Sequence, residues 1–262
     1  MHLLVSLCLV LAGLAYALGV WLRWRRPAAD QQSGSGWAMW PGMALLTAAA
    51  ILGLSEPDHG DFAWAVLGAW AAMAGIHFVT GWLRRPSLSL LALPVAALAM
   101  LLALGALAGG HHAKSSTPGA MHWTAQVHVL LMALHLGAAL LAGGAGGLWL
   151  IARRQLKVPG PRALALPNLP VLERLTERTL VISAGLLAAG LAVGGAAMEA
   201  SPTVTLAHPA VIIACCNLVV VLAALGLRAT NRIGRRALAV AALQAMSLAM
   251  LSVVAIQLLR HA

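Results

Sequence analysis

Clustered polar residues cut this chain into eight apolar stretches, and that pattern alone decides which solvent it folds in. A hydrocarbon core about 30 Å thick takes about 20 helical residues at 1.5 Å rise. Stretches of that length recur at approximately 3–22, 37–55, 62–83, 87–109, 126–152, 179–198, 208–227 and 237–259. Only 9% of the residues are charged, against roughly one quarter in a soluble domain. The expected fold class is therefore all-α, a polytopic transmembrane helical bundle with eight spans and lipid as its solvent. No soluble domain fits between the spans. Residues 1–109 form an N-terminal set of four transmembrane helices, and residues 110–262 a second set.

The net charge of +10 is not a nucleic-acid footprint, because its placement follows the membrane. Arg23, Arg25 and Arg26 follow the first span, Arg84 and Arg85 the third, and Arg228, Arg232, Arg235 and Arg236 the seventh. Arg153, Arg154, Lys157, Arg162, Arg174 and Arg178 follow the fifth. Fifteen of the seventeen basic residues thus fall on one side, with only Lys114 and Arg260 on the other. The positive-inside rule makes the basic side cytoplasmic. Both termini are then outside, as expected of a multi-pass protein of the bacterial cytoplasmic (inner) membrane. The basic cluster of span one follows its apolar stretch instead of preceding it, so that span is expected to remain as an anchor and not to be a cleaved signal.

The loop between spans five and six carries prolines at 159, 161, 167 and 170, which exclude one continuous helix across it. From Val171 the pattern VLERLTERTL becomes helical, so an interfacial helix is expected to lead straight into span six, with Arg174 and Glu177 paired on its wet face. Trp21, Trp24, Trp37, Trp40, Trp64, Trp82, Trp123 and Trp149 lie near span ends, as interfacial belts require. Small-residue runs, AGGAGG at 142–147 and GLLAAGLAVGG at 185–195, allow backbones to approach closely. Spans five and six are expected to pack through Gly143, Gly144, Gly147, Gly190 and Gly194. Cys8, Cys215 and Cys216 sit inside spans with no CxxC or CxxCH spacing and are read as small buried hydrophobes.

Acidic residues are informative by position. Asp30, Glu173 and Glu177 are cytoplasmic, while Glu56, Asp58, Asp61 and Glu199 are outside or at a span end, leaving no carboxylate at mid-membrane. Proton-coupled transporters usually need one, so a small-molecule permease is disfavoured. Histidines are instead concentrated on the outer side: His2, His59, His111, His112, His122, His128, His208 and His261, with His77 and His135 inside spans. An imidazole near an apolar interface is a natural axial ligand for haem iron. His111 and His112 are adjacent in a Gly/Ser loop and are read as solvated. His77 and His135 are expected to be core histidines, the latter bonded to a backbone carbonyl.

The segment HWTAQVHVLLMALHLGAALLAGGAGGLWL from His122, then LPVLERLTERTLVISAGLLAAGLAVGG, then IGRRALAVAALQAMSLAMLSVVAIQLLRHA, resembles the cytochrome c assembly family, which includes the CcsA and HemX proteins. The resemblance covers residues 120–262. It implies that His128, in an "HV" pair opening span five on the outer side, is a haem ligand. It implies the same of His261, after span eight, with haem b as the cofactor; His208, which also begins a span on the outer side, is the alternative second ligand, although a helix-entry role beside Pro209 is the expected one for it. Partners implied are the lipid bilayer, haem and cytochrome c maturation proteins. Departures are also visible. The outer loop between spans six and seven, MEASPTVTLAHP, has neither the Trp-rich segment nor the aspartate of haem-transferring members. The cytoplasmic-side histidine near the end of span seven is missing too. The chain is therefore closest to the HemX-like branch.

The expected function is a non-enzymatic haem-binding or haem-handling inner-membrane protein associated with cytochrome c biogenesis. A membrane scaffold or regulator of tetrapyrrole metabolism that does not bind haem is the main alternative.

Overall fold

The computed structural model describes residues 2–25, 39–55, 61–82, 90–108, 123–157, 166–200 and 209–259. Among these the chain is all-helical, with eight helices: α1 (His2–Arg25), α2 (Trp40–Leu54), α3 (Asp61–Trp82), α4 (Ala92–Ala108), α5 (Trp123–Lys157), α6 (Leu169–Ala200), α7 (Pro209–Ala229) and α8 (Arg235–Leu259). Five of them, α1, α5, α6, α7 and α8, contain segments long and apolar enough to cross a membrane. The apolar segments of α2 and α3, Trp40–Leu54 and Val66–Phe78, are shorter. At 15 residues, α2 is about 22 Å long.

The helices are apolar on both faces, which distinguishes a lipid-solvated bundle from a water-soluble one. On α1, Val5, Leu9, Ala12, Tyr16 and Val20 recur at helical spacing and are buried, while Leu4, Leu7, Leu11, Leu14 and Leu18 on the opposite side are exposed. α7 likewise turns Ile212, Val219 and Leu222 outward. In water, leucine stripes of this length would be an aggregation surface.

α5 is the axis of the assembly. Its most extensive partner is α6, and it also packs on α3, α4 and α8. α1 lies against α2 and α4, and α7 against α8 and α6. One core runs from α1 through α5 and reaches Leu172 of α6 and Ala239 and Ala249 of α8, with Leu9, Leu46, Met73, Leu98 and Leu140 among its fully buried side chains. A smaller one joins α5, α6, α7 and α8 through Ala142, Leu180, Val221 and Ala242.

Small residues set these distances, though not always where expected. The close packing of α5 on α6 is found, and Gly190 and Gly194 of α6 lie against Met132 and His128 of α5. The α5 glycines turn elsewhere: Gly143 and Gly147 meet Met246 and Leu243 of α8, and Gly144 meets Leu91 and Pro94 beside α4. At about 100° per residue Gly144 stands about 120° round α5 from Met132, which takes it off the face that meets α6. A close approach of two backbones lies between α3 and α5, where a methyl group on Gly68 would stand 2.7 Å from the carbonyl oxygen of Ala133.

α6 runs unbroken from Leu169, so the charged segment and the span are one helix. Pro170 sits in its first turn, where a missing N–H costs nothing. The expected Arg174–Glu177 pair gives way to bonds between helices. Glu173 accepts from Arg228 Nη2 at 2.8 Å and is ion-paired with Arg235, whose Nε lies 2.9 Å away, and Glu177 lies 4.0 Å from Arg228 Nε. A guanidinium held by the α7–α8 turn offers these carboxylates a better-fixed donor than a solvated neighbour on their own helix. That turn is tight, with Asn231 at φ 56°, a left-handed conformation that asparagine tolerates.

Among the tryptophans with described side chains, Trp21 and Trp40 are exposed near helix ends. Trp149 departs from the belt expectation. It is buried, with Arg153 stacked 5.4 Å above its ring, because α5 continues to Lys157 and carries Trp149 well inside its last turns. The cysteines also depart from expectation: Cys215 and Cys216 are exposed on α7 and Cys8 is half-buried, in keeping with helices whose outer faces meet lipid.

Candidate functional site

The contact surface between α5 and α6 carries two histidines in the same relation to the facing helix. His128 Nδ1 lies 2.6 Å from the carbonyl oxygen of Gly190. His135 Nδ1 lies 3.0 Å from the carbonyl oxygen of Ser183. Seven residues separate the histidines along α5 and seven separate their acceptors along α6 in the opposite sense. The two helices therefore keep one antiparallel heptad register over about 10.5 Å.

A carbonyl oxygen only accepts, so each Nδ1 carries the proton and donates it. In the neutral form of either ring the lone pair is then on Nε2. The two sites then diverge. His135 is buried, and its Nε2 faces the amide nitrogen of Asn217 on α7 at 3.5 Å. That amide also donates to the carbonyl of Ala245 on α8 at 3.3 Å, and Ser183 Oγ lies 3.0 Å from His135 Nδ1. All four C-terminal helices thus meet at one buried polar knot. The expected core histidine bonded to a backbone carbonyl is present, together with a partner in Asn217 that the sequence did not announce. An asparagine inside a span is the signal that was there to be read.

His128 is different in the ways that matter for a ligand. It lies in the second turn of α5, about 7.5 Å from the helix start, and is only half-buried. Among the described residues its Nε2 makes no hydrogen bond. Its ring rests on Gly194, where any side chain would meet it. An imidazole with Nδ1 tied to a backbone carbonyl and Nε2 left as the lone-pair donor is the arrangement that orients a histidine for an axial metal bond. Among the described residues no three His, Cys, Asp or Glu side chains come together as a metal cage. What His128 offers is one oriented nitrogen, which suits a metal whose other ligands come with it.

His261 and His208, the expected second ligand and its alternative, lie outside the described residues, as do His111 and His112. His77 is half-buried between helices, stacked on Trp40 at a centroid distance of 5.4 Å and tilted against Tyr16 at 6.4 Å. Tyr16, Trp40 and His77 come from three helices far apart in sequence, and no local pattern linked them. This chain matches no family model, no curated protein and no solved structure.

Proposed function

We propose that this chain is a multi-pass haem-binding protein of the bacterial cytoplasmic membrane, with eight spans, both termini outside and His128 as an axial ligand to haem b. The observation that carries the reading is the bond from His128 Nδ1 to Gly190, which leaves Nε2 as an oriented donor at the end of a helix pair. The resemblance of residues 120–262 to the cytochrome c assembly family supports the same assignment. In the eight-span topology α5 begins and α8 ends on the outer side, so His261 is the expected second ligand and His208 its alternative.

The donor set fits the group. A haem brings four equatorial nitrogens of its own, so the protein needs to add only one or two axial ones. His128 would supply the first, held by Gly190 and backed by the flat surface at Gly194. The role is binding and presentation, without bond-making chemistry, and the associated process is cytochrome c biogenesis.

Purified protein from cells supplied with excess haem should show a Soret band that weakens or shifts in His128→Ala, while His111→Ala and His112→Ala leave it unchanged. A wild-type protein without Soret absorbance overturns the haem reading. It would favour instead a scaffold or regulator of tetrapyrrole metabolism, in line with the missing Trp-rich segment. Haem bound with an unaltered spectrum in His128→Ala overturns the ligand assignment.

A further inference from the structure

The face of α8 that points away from the bundle is built as a helix-pairing seam. Its exposed residues are Ala237, Val240, Gln244, Ser247 and Leu251, spaced by alternating steps of three and four. That is the a/d spacing of a coiled-coil seam. Along one side of the stripe runs a shallow groove of about 410 Å³ between α7 and α8, floored by Val220, Leu243 and Leu248.

Gln244 stands at the centre of this seam and close to the midpoint of the apolar segment Arg235–Ala255. Its side chain is exposed and makes no hydrogen bond among the described residues. Ser247, one turn further on, is satisfied by the carbonyl of Leu243 at 3.0 Å, so Gln244 is the polar group of the stripe left facing hydrocarbon. A primary amide at that depth is unfavourable until it finds a group that both donates and accepts.

We infer that α8 is a homodimer interface in which Gln244 pairs with Gln244 of a second copy across a two-fold axis. Membrane geometry selects this occupant. Two copies of one chain insert with the same orientation, so their two-fold axis runs along the membrane normal and each residue meets its own counterpart at the same depth. An amide is self-complementary, its N–H matching the other's C=O. A second copy therefore supplies the required partner at the required depth without any further coincidence. The α7–α8 groove beside the stripe gives each copy a place for side chains of the other's seam, and the small Ala237 and Ser247 let the backbones approach.

The test uses the full chain in lipid vesicles with Cys8, Cys215 and Cys216 replaced by alanine and a single reporter, Ser247→Cys, in the seam. Oxidation should give a covalent dimer, and adding Gln244→Leu should weaken association about tenfold, the scale of a strong interhelical hydrogen bond in lipid. Gln244→Asn, which keeps the amide, should retain most of the dimer. Since Gln244 is exposed, Gln244→Leu should leave the monomer folded, as judged by unchanged tryptophan fluorescence. The inference is overturned if Ser247→Cys cross-links no better than a reporter at Val219 on the outer face of α7, if Gln244→Leu dimerises as well as its parent, or if the captured partner is a different protein.

Discussion

Gly194→Ala should disturb His128 while hardly changing stability, and Gly195→Ala, one residue on, should do neither harm. A methyl group on Gly194 would lie 2.6 Å from both Nδ1 and Cε1 of His128, whereas carbon contacts settle at about 3.5 Å or more. The imidazole is the movable partner, so it must retreat by about 0.9 Å. The atom pushed away is the one that donates to Gly190 at 2.6 Å, and a bond stretched by that amount is lost. The loss costs about 1 kcal/mol, but alanine in a helix interior returns about 0.5–1 kcal/mol relative to glycine. The two nearly cancel at 194. At Gly195 a methyl group meets nothing within 4 Å among the described residues, so only the gain remains. Gly195→Ala should therefore melt a few degrees above Gly194→Ala, for a difference of about 1 kcal/mol. Nitrogen-15 NMR of labelled histidine should show the His128 Nδ1–H signal moved in Gly194→Ala alone, and any haem spectrum should shift with it. Equal melting of the two variants with an unmoved His128 signal would refute the reasoning.

Replacing Glu173 by Gln should loosen the α6, α7 and α8 ends together, because Glu173 accepts from Arg228 and is ion-paired with Arg235. A loss of roughly 1–3 kcal/mol is expected by thermal unfolding in detergent, tempered by the exposure of Arg235. Gly68→Ala should cost about 1–3 kcal/mol, since its methyl group would face the backbone carbonyl of Ala133, which cannot swing aside. Gly226→Ala, whose methyl group meets nothing within 4 Å among the described residues, is the control and should be slightly stabilising. Reporter fusions at Arg26, Arg85, Pro159 and Arg232 should score cytoplasmic and those at Gly60, Ser115 and Ala262 external. A cytoplasmic C-terminus would overturn the eight-span count.

The long helices were legible because crossing lipid sets a length of about 20 apolar residues and polar residues mark the cuts; among the described residues five helices reach it. The run from Val171 into span six was legible for the same reason, since nothing between Glu173 and Ser183 breaks a helix. Partners across the bundle were not. Whether Gly143 faces α6 or α8 depends on the rotation of α5 about its axis, and every candidate face of α5 is apolar and rich in small residues. Hydrophobic periodicity, which orients a helix in water, carries little information when the solvent is as apolar as the core. Polar residues inside spans kept their meaning: His135, Ser183 and Asn217 found one another, as expected where no water competes. His128 was marked by resemblance, and its carbonyl partner became visible only with α6 laid alongside.

Close approach and register are separate problems for a helix pair in lipid, and α5 and α6 solve them with different residues. Gly190 and Gly194 remove the bulk that would hold the backbones apart, but a smooth glycine face permits sliding and rotation. Dispersion contacts between methylenes change little when one helix shifts along another. The bonds from His128 to Gly190 and from His135 to Ser183 do discriminate, because displacement by one residue would strand two N–H donors in an apolar medium. His135, fixed from the far side by Asn217, is the deeper of the two anchors. The orientation of His128 near the start of α5 then follows from a register set about 10.5 Å away. In this arrangement the buried histidine holds the helices, and the half-buried one has the ring nitrogen that the proposed function assigns to a ligand.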